Sequence, residues 1–273
     1  MIPGIIRMAK KKIGFLYIFL LLLVTNVNAQ VWEIGANVGG AGYIGDLNPT
    51  NPIKISGISA GVFARANLSA YWAVGLHYTY GKIKADDAES NDLQLKARNL
   101  NFYSPLHEVA VLFDFNFLDY FSGGGSKKFS PYLYAGIGGI IFQPKTEYNG
   151  SIYKLALYGT EGTTYKNYAV TIPYGAGIKY NVKNNLTLFS QIGYRNAYTD
   201  FLDDVSGNYP AADAFNGSTA TTQRALADRS GEKTGVYLGV PNTQRGDFRK
   251  RDTYMFVGIG ISYTFVSQKC YNF

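Results

Sequence analysis

The chain has 273 residues, 26 Lys and Arg against 19 Asp and Glu, two His, one Cys and a formal net charge of +7 at pH 7. Four of those positive charges, Arg7, Lys10, Lys11 and Lys12, sit in the first 29 residues, which hold no acid. Their removal lowers the charge to +3 and takes away most of the electrostatic case for a nucleic-acid partner.

The basic stretch RMAKKK (residues 7–12) precedes twelve apolar residues, Ile13 to Val24, and then Val-Asn-Ala at 27–29. That order predicts a cleaved secretory signal over 1–29, with the mature chain starting at Gln30. The apolar run is too short for a spanning helix, although an uncleaved anchor is the rival reading. No cysteine follows the cleavage site, as a lipoprotein signal would require.

After residue 29 no apolar run approaches 18 residues, and the recurring pattern has period two, the signature of strands with one apolar face. Eight strands are predicted, over 31–45, 57–69, 71–84, 102–119, 129–144, 168–182, 186–200 and 253–265. In the first, Trp32, Ile34, Ala36 and Val38 lie opposite Glu33, Gly35 and Asn37. The second opposes Ile58, Val62 and Ala64 to Arg65, and the third opposes Trp72, Leu76 and Tyr78 to His77. In the fourth, Val109, Val111 and Phe113 oppose Glu108 and Asp114. The sixth and seventh place Lys179 and Arg195 opposite Tyr180 and Tyr194. The fifth, PYLYAGIGGIIF, is apolar on both faces.

The polar faces thus carry Glu33, Glu108 and Asp114 against Arg65, Lys179 and Arg195, with His77 and Gln191 beside them. A soluble sandwich would not turn these into its core, whereas a membrane barrel is apolar outside and polar inside. Outward Trp32, Trp72, Tyr80, Tyr180, Tyr194, Tyr263 and Phe265 suit an aromatic girdle. Links after strands two, four and six are short, and those after one, three, five and seven are longer, the last spanning Phe201 to Asp252. The predicted fold is all-β, an eight-stranded antiparallel transmembrane barrel over 30–265 with short periplasmic turns, long extracellular loops and both termini periplasmic in the outer membrane. A secreted β-sandwich is the alternative. A barrel this narrow is filled by its own side chains, which argues against a general pore.

Catalytic, metal and cofactor sites are not expected. With two histidines, His77 and His107, and no Gly-x-Ser-x-Gly stretch, no base is set beside a nucleophile by any short motif. His107 is read as interfacial. The acidic run KADDAESNDLQ offers Asp86, Asp87, Glu89 and Asp92 as calcium ligands, but it lacks the ordered oxygen spacing and turn glycine of a calcium loop, and it reads as solvated. The 201–252 connection fits either a mobile loop or a folded cap. Cys270 is free or intermolecular, since an exported chain with one cysteine cannot pair it internally.

Three stretches resemble the PorG-type outer-membrane barrels of Bacteroidetes, which belong to the type IX protein secretion system: EIGANVGGAGYIGDLNPTN (33–51), YGKIKADDAESNDLQLKARNLNFYSPLHEVAVLFDFNF (80–117) and SPYLYAGIGG (130–139). The ordered pair YIGDL and DDAES…RNLNF carries most of the likeness. The resemblance implies a non-enzymatic part of the secretion machine that tethers or helps assemble a periplasmic ring built from a lipoprotein and its soluble partner, in contact with outer-membrane lipids. Within that expectation the tail, 266–273, lies in the periplasm, with Cys270 forming a disulfide to a ring subunit while Lys269, Tyr271 and Phe273 dock beside it. The turn Ser122 to Lys128 is a second candidate contact. Other readings are a small structural or adhesin-type barrel acting through its loops, and a lipid-modifying barrel enzyme.

Overall fold

The computed structural model describes residues 31–120, 127–183, 185–247 and 249–265. The signal segment, most of the glycine-rich turn, and the tail with Lys269, Cys270, Tyr271 and Phe273 lie outside the described residues.

Eight long strands form one antiparallel sheet: β1 (Val31–Ile44), β2 (Ile55–Asn67), β3 (Trp72–Asp86), β4 (Asn101–Asn116), β5 (Phe129–Phe142), β8 (Tyr168–Lys183), β9 (Leu186–Ala197) and β10 (Thr253–Phe265). Each pairs with the next, and the sheet closes because β1 also pairs with β10, from Trp32 opposite Phe265 to Ile44 opposite Thr253. In hydrocarbon an unpaired strand edge has no water to satisfy it, so closure is the arrangement that leaves no edge. No helix among the described residues is long and apolar enough to cross a membrane.

The period-two pattern sorts the residues by face. Ile34, Val38, Leu76, Val111, Ile137 and Ile259 point outward and are exposed. Trp32, Trp72, Tyr180, Tyr263 and Phe265 ring the end that carries the short turns, and Tyr80 and Tyr194 lie nearer the other end. The outer surface is therefore the apolar band with aromatic margins that a bilayer requires, as expected for a transmembrane barrel. In β5 the facing that the sequence left ambiguous resolves with Tyr132 and Tyr134 inward and Leu133, Ile137 and Ile141 outward.

Inward glycines make room for inward rings. A Cβ at Gly35 would overlap the Phe63 ring and sit 2.9 Å from the Ile261 carbonyl oxygen, and one at Gly177 would lie 2.6 Å from Tyr132. Gly139, on the outward face, has open space around it.

Two connections depart from the sequence reading. The link between β5 and β8 contains a hairpin, β6 (Lys145–Tyr148) and β7 (Ser151–Lys154), turned by Asn149 and Gly150, both at positive φ. Such a pair of residues sets a two-residue turn whose twist matches the flanking strands. The acidic run is largely exposed, as expected, but it is folded rather than a loop. After a short turn at Asp87–Glu89 it forms helix α1 (Leu93–Arg98), capped by the Asp92 side chain on the N–H groups of Gln94 and Leu95. Asp86 likewise accepts from the Ala88 N–H, Glu89 pairs with Lys54 at 3.0 Å, and Asp87 is buried against Arg98. Its carboxylates are thus spent on local structure rather than gathered round an ion.

The 201–252 connection is a folded cap with helices α2 (Ala220–Ala227) and α3 (Gly231–Thr234). Leu202, Val205 and Leu226 bury against Tyr43, Ile83, Leu100, Phe142 and Tyr254 in one apolar cluster at the loop end of the barrel.

The packing predicts that Gly35→Val will lower the unfolding free energy by about 1–3 kcal/mol through overpacking against Phe63, while Gly139→Ala leaves it unchanged within error. Urea titration of the folded protein in lipid vesicles, read by gel mobility without heating, separates the two.

Candidate functional site: a sealed lumen under a folded cap

Every ionisable residue that the strand periodicity placed inward is buried in the lumen. Glu33, Arg65, Glu108, Asp114, Lys179 and Arg195 all bury, with Arg65 only 2 % exposed. They form two groups. Near the short-turn end, Arg65 on β2 reaches Glu33 on β1 at 3.5 Å and Asp114 on β4 at 3.2 Å. Lys179 on β8 meets the same Asp114 oxygen at 2.9 Å and donates to Asn116 at 3.1 Å. One acidic side chain is therefore shared by two cations from opposite sides. Rings cover the remaining faces, with Phe63 4.5 Å from the Arg65 guanidinium and Tyr132 4.2 Å from the Lys179 ammonium.

Higher in the barrel, Arg195 on β9 approaches Glu108 at 3.5 Å and donates to the Gly193 carbonyl. Tyr254 on β10 donates to the second Glu108 oxygen. Since β10 and β4 stand four strands apart in either direction round the sheet, this bond runs straight across the lumen. Gln191 accepts from the Tyr132 hydroxyl at 3.0 Å.

His77 faces the lumen but joins no ion pair. Its ring stacks on Phe63 at 4.9 Å and 18°, so it acts as an aromatic filler between the two groups. His107 faces outward, with its Nδ1 2.9 Å from the Tyr78 hydroxyl and its ring against Tyr80. The two histidines thus belong to different environments, and neither stands beside a Ser, Thr or Cys nucleophile among the described contacts.

The loop end is closed by polar ties as well as by the apolar cluster. Arg98 forms a two-point pair with Asp87, Nε to Oδ2 at 2.7 Å and Nη2 to Oδ1 at 2.9 Å. It also donates to the carbonyls of Asp46 at 3.0 Å and Arg245 at 2.6 Å, so one guanidinium joins three connections. Arg245 is buried in turn, paired with Glu161 at 3.0 Å and donating to the Ala227 and Asp204 carbonyls. Arg229 pairs with Glu232 and donates to Asn101 and Thr146. Burial pushes the Asp204 carboxyl up to about 6, opposed by Arg245 and by hydrogen bonds from Thr160 and Tyr165.

Three acids that the sequence reading did not connect meet in this cap. Asp46 lies after β1, Asp200 after β9 and Asp252 before β10, and one carboxylate oxygen of each lies within 4.8 Å of the others. They are the one such group found among the described residues. Desolvation raises all three, Asp46 to about 7 and Asp200 to about 6, against hydrogen bonds that lower them. No short motif could reveal them, because they sit on separate connections up to 206 positions apart.

Closed register, apolar exterior and charge-paired interior together define a transmembrane β-barrel of the outer-membrane type. The family model described as Domain of unknown function (DUF6089) matches residues 11–221, and the chain belongs to that family. No curated protein sequence matches it. Among solved structures it is similar to Neisserial surface protein A, with TM-score 0.42 and 11 % identity over 86 % of this chain and 97 % of that one. It is similar too to Ail of Yersinia pestis, with TM-score 0.41 and 10 % identity over 86 % and 99 % of the two chains. A major outer membrane protein of Thermus thermophilus gives TM-score 0.43 and 11 % identity over 87 % and 100 %. The strand register above, rather than these distant likenesses, defines the barrel.

Two outcomes follow from the lumen. Arg65→Ala strips Glu33 of its buried partner and leaves Asp114 with Lys179 alone, and should cost about 3–5 kcal/mol of unfolding free energy, read from urea midpoints in lipid vesicles. The wild-type protein reconstituted into a planar bilayer should show no steady ionic current above the bare membrane, since paired side chains and the cap occupy the path.

Proposed function

We propose that this barrel is a non-catalytic outer-membrane component of the type IX protein secretion machinery that anchors or helps assemble the periplasmic lipoprotein ring. One observation carries the reading: the residues of the two stretches on which the PorG resemblance rests meet in a single buried cluster. Asp46 comes from YIGDL, Asp87 from DDAES and Arg98 from the start of RNLNF, and Arg98 bonds to both. The segments that carry the resemblance thus pack together at the loop end of the barrel, which supports the reading. The charge-filled lumen supports a role as scaffold rather than conduit.

In this reading the short-turn end faces the periplasm. Val31 and Phe265 both lie at that end. There Cys270, with Lys269, Tyr271 and Phe273, would meet the ring lipoprotein or its soluble partner. Outer-membrane lipids cover the apolar band.

A second reading, a structural or adhesin-type barrel acting through its surface loops, is favoured by the cap segment Tyr237, Leu238 and Val240, whose apolar side chains are exposed. Deletion of the gene separates the two. The scaffold reading expects loss of export of type IX substrates and a destabilised ring, whereas normal export together with a surface phenotype abolished by Leu238→Ser and Val240→Ser selects the second. The tail is tested by non-reducing electrophoresis and mass spectrometry of outer membranes. We expect a high-mass species containing the ring lipoprotein that collapses with reductant and is missing in Cys270→Ser cells. Monomer alone in both strains would refute the disulfide.

A further inference from the structure

We propose that Asp46, Asp200 and Asp252 form a calcium-binding site that locks the cap onto the barrel mouth. The group is more than a cluster of acids, because each carboxylate is held by one oxygen and leaves the other unsatisfied. Asp46 Oδ1 accepts the Asp247 N–H, Asp200 Oδ2 accepts the Ser206 hydroxyl, and Asp252 Oδ2 accepts the Leu202 N–H. The remaining oxygens, Asp46 Oδ2, Asp200 Oδ1 and Asp252 Oδ1, have no hydrogen-bond partner although they are buried. Asp252 is fully inaccessible and Asp46 is 2 % exposed. Buried carboxylate oxygens without a donor or cation are costly, so three fixed in one place indicate a missing positive charge.

No side chain supplies that charge. None of the three forms an ion pair among the described residues, and neighbouring Asp203 is also buried, bonded to the Tyr43 hydroxyl and the Val205 N–H. Two guanidiniums lie nearby, Arg98 paired with Asp87 and bonded to the Asp46 carbonyl, and Arg249 paired with Asp247 and bonded to the Pro49 carbonyl; each is already matched by another acid. Asp46, Asp200, Asp203 and Asp252 therefore crowd the junction of three connections with no ion-paired cation of their own among the described residues.

The donor set selects the ion. All the donors are oxygens, which suits a hard cation and excludes the soft ligand sets of zinc or copper. Calcium takes six to eight oxygens at about 2.3–2.6 Å in flexible geometry, whereas magnesium demands a near-ideal octahedron at about 2.0–2.1 Å and keeps several of its waters. Three carboxylates fixed on separate connections, one oxygen of each within 4.8 Å of the others, suit the more tolerant ion. Asp200 is the most accessible of the three, 9 % exposed. The site is distinct from the acidic run 84–94, whose carboxylates are taken up by caps, by Arg98 and by Lys54.

The test uses the full chain, folded in detergent and freed of divalent ions by chelation. Calorimetric titration with Ca2+ should show one ion bound per chain with a dissociation constant on the order of 10⁻⁴ M, in the range of extracellular calcium modules, and Asp200→Asn should weaken it about tenfold or more. In chelator the variant should unfold no earlier than wild type, because it relieves repulsion. With Ca2+ only the wild type should shift to a higher melting temperature. Gel mobility of unheated samples reports that each variant is folded, and Asp46→Asn serves if Asp200→Asn is not. A wild type that takes up no Ca2+, or uptake that survives both substitutions, would overturn the site.

Discussion

The pairing of β1 with β10 sets the conditions for everything else in this molecule. A sheet surrounded by hydrocarbon cannot leave backbone groups unbonded at an edge, so the first and last strands must meet. Once eight strands close, the interior is too narrow for bulk water, and an inward charge finds its partner in another inward side chain. That constraint explains why six charges on five strands resolve into paired sets, why aromatic rings lie over the Arg65 guanidinium and the Lys179 ammonium, and why glycines stand against the rings of Phe63, Tyr132, Tyr134, Phe189 and Phe256.

The two ends of the cylinder solve the same problem differently. At the short-turn end the fill is ionic, centred on Asp114 between Arg65 and Lys179. At the other end the strands run beyond the apolar band and their inner faces become an ordinary core, with Tyr43, Ile83, Phe102 and Phe142 packed against Leu202 and Leu226 of the cap. The long connection is thus the second half of a small globular domain whose first half is the barrel mouth.

Most of the cylinder was legible in the sequence because period two is a strictly local signal. Glu33, Arg65 and Lys179 could be placed inward simply by counting from Ile34, Ala64 and Tyr180. The β6–β7 hairpin carried an equally local signal, the Asn149-Gly150 pair, but only four residues flank it on each side and the alternation there is short. Contacts between connections were not legible. Asp87 reads as one more solvated acid until Arg98, eleven positions away across a helix, turns back onto it. Asp46, Asp200 and Asp252 belong to segments that become neighbours only after closure. The tail lies beyond the described residues, so its role rests on sequence alone.

Arg98 has a bearing on the order in which the molecule is built. Its two carbonyl partners, on Asp46 and Arg245, lie 52 and 147 positions away, and the second is delivered by the cap, which follows β9 and precedes the closing strand β10. Contacts that enclose such long stretches of chain form only after the entropy of closing them has been met by other interactions. The cylinder is accordingly the template and the cap the late arrival, so a chain stalled during insertion would present an open mouth. The same guanidinium that fastens the finished lid therefore completes its bonds only once the cap has folded down onto the mouth.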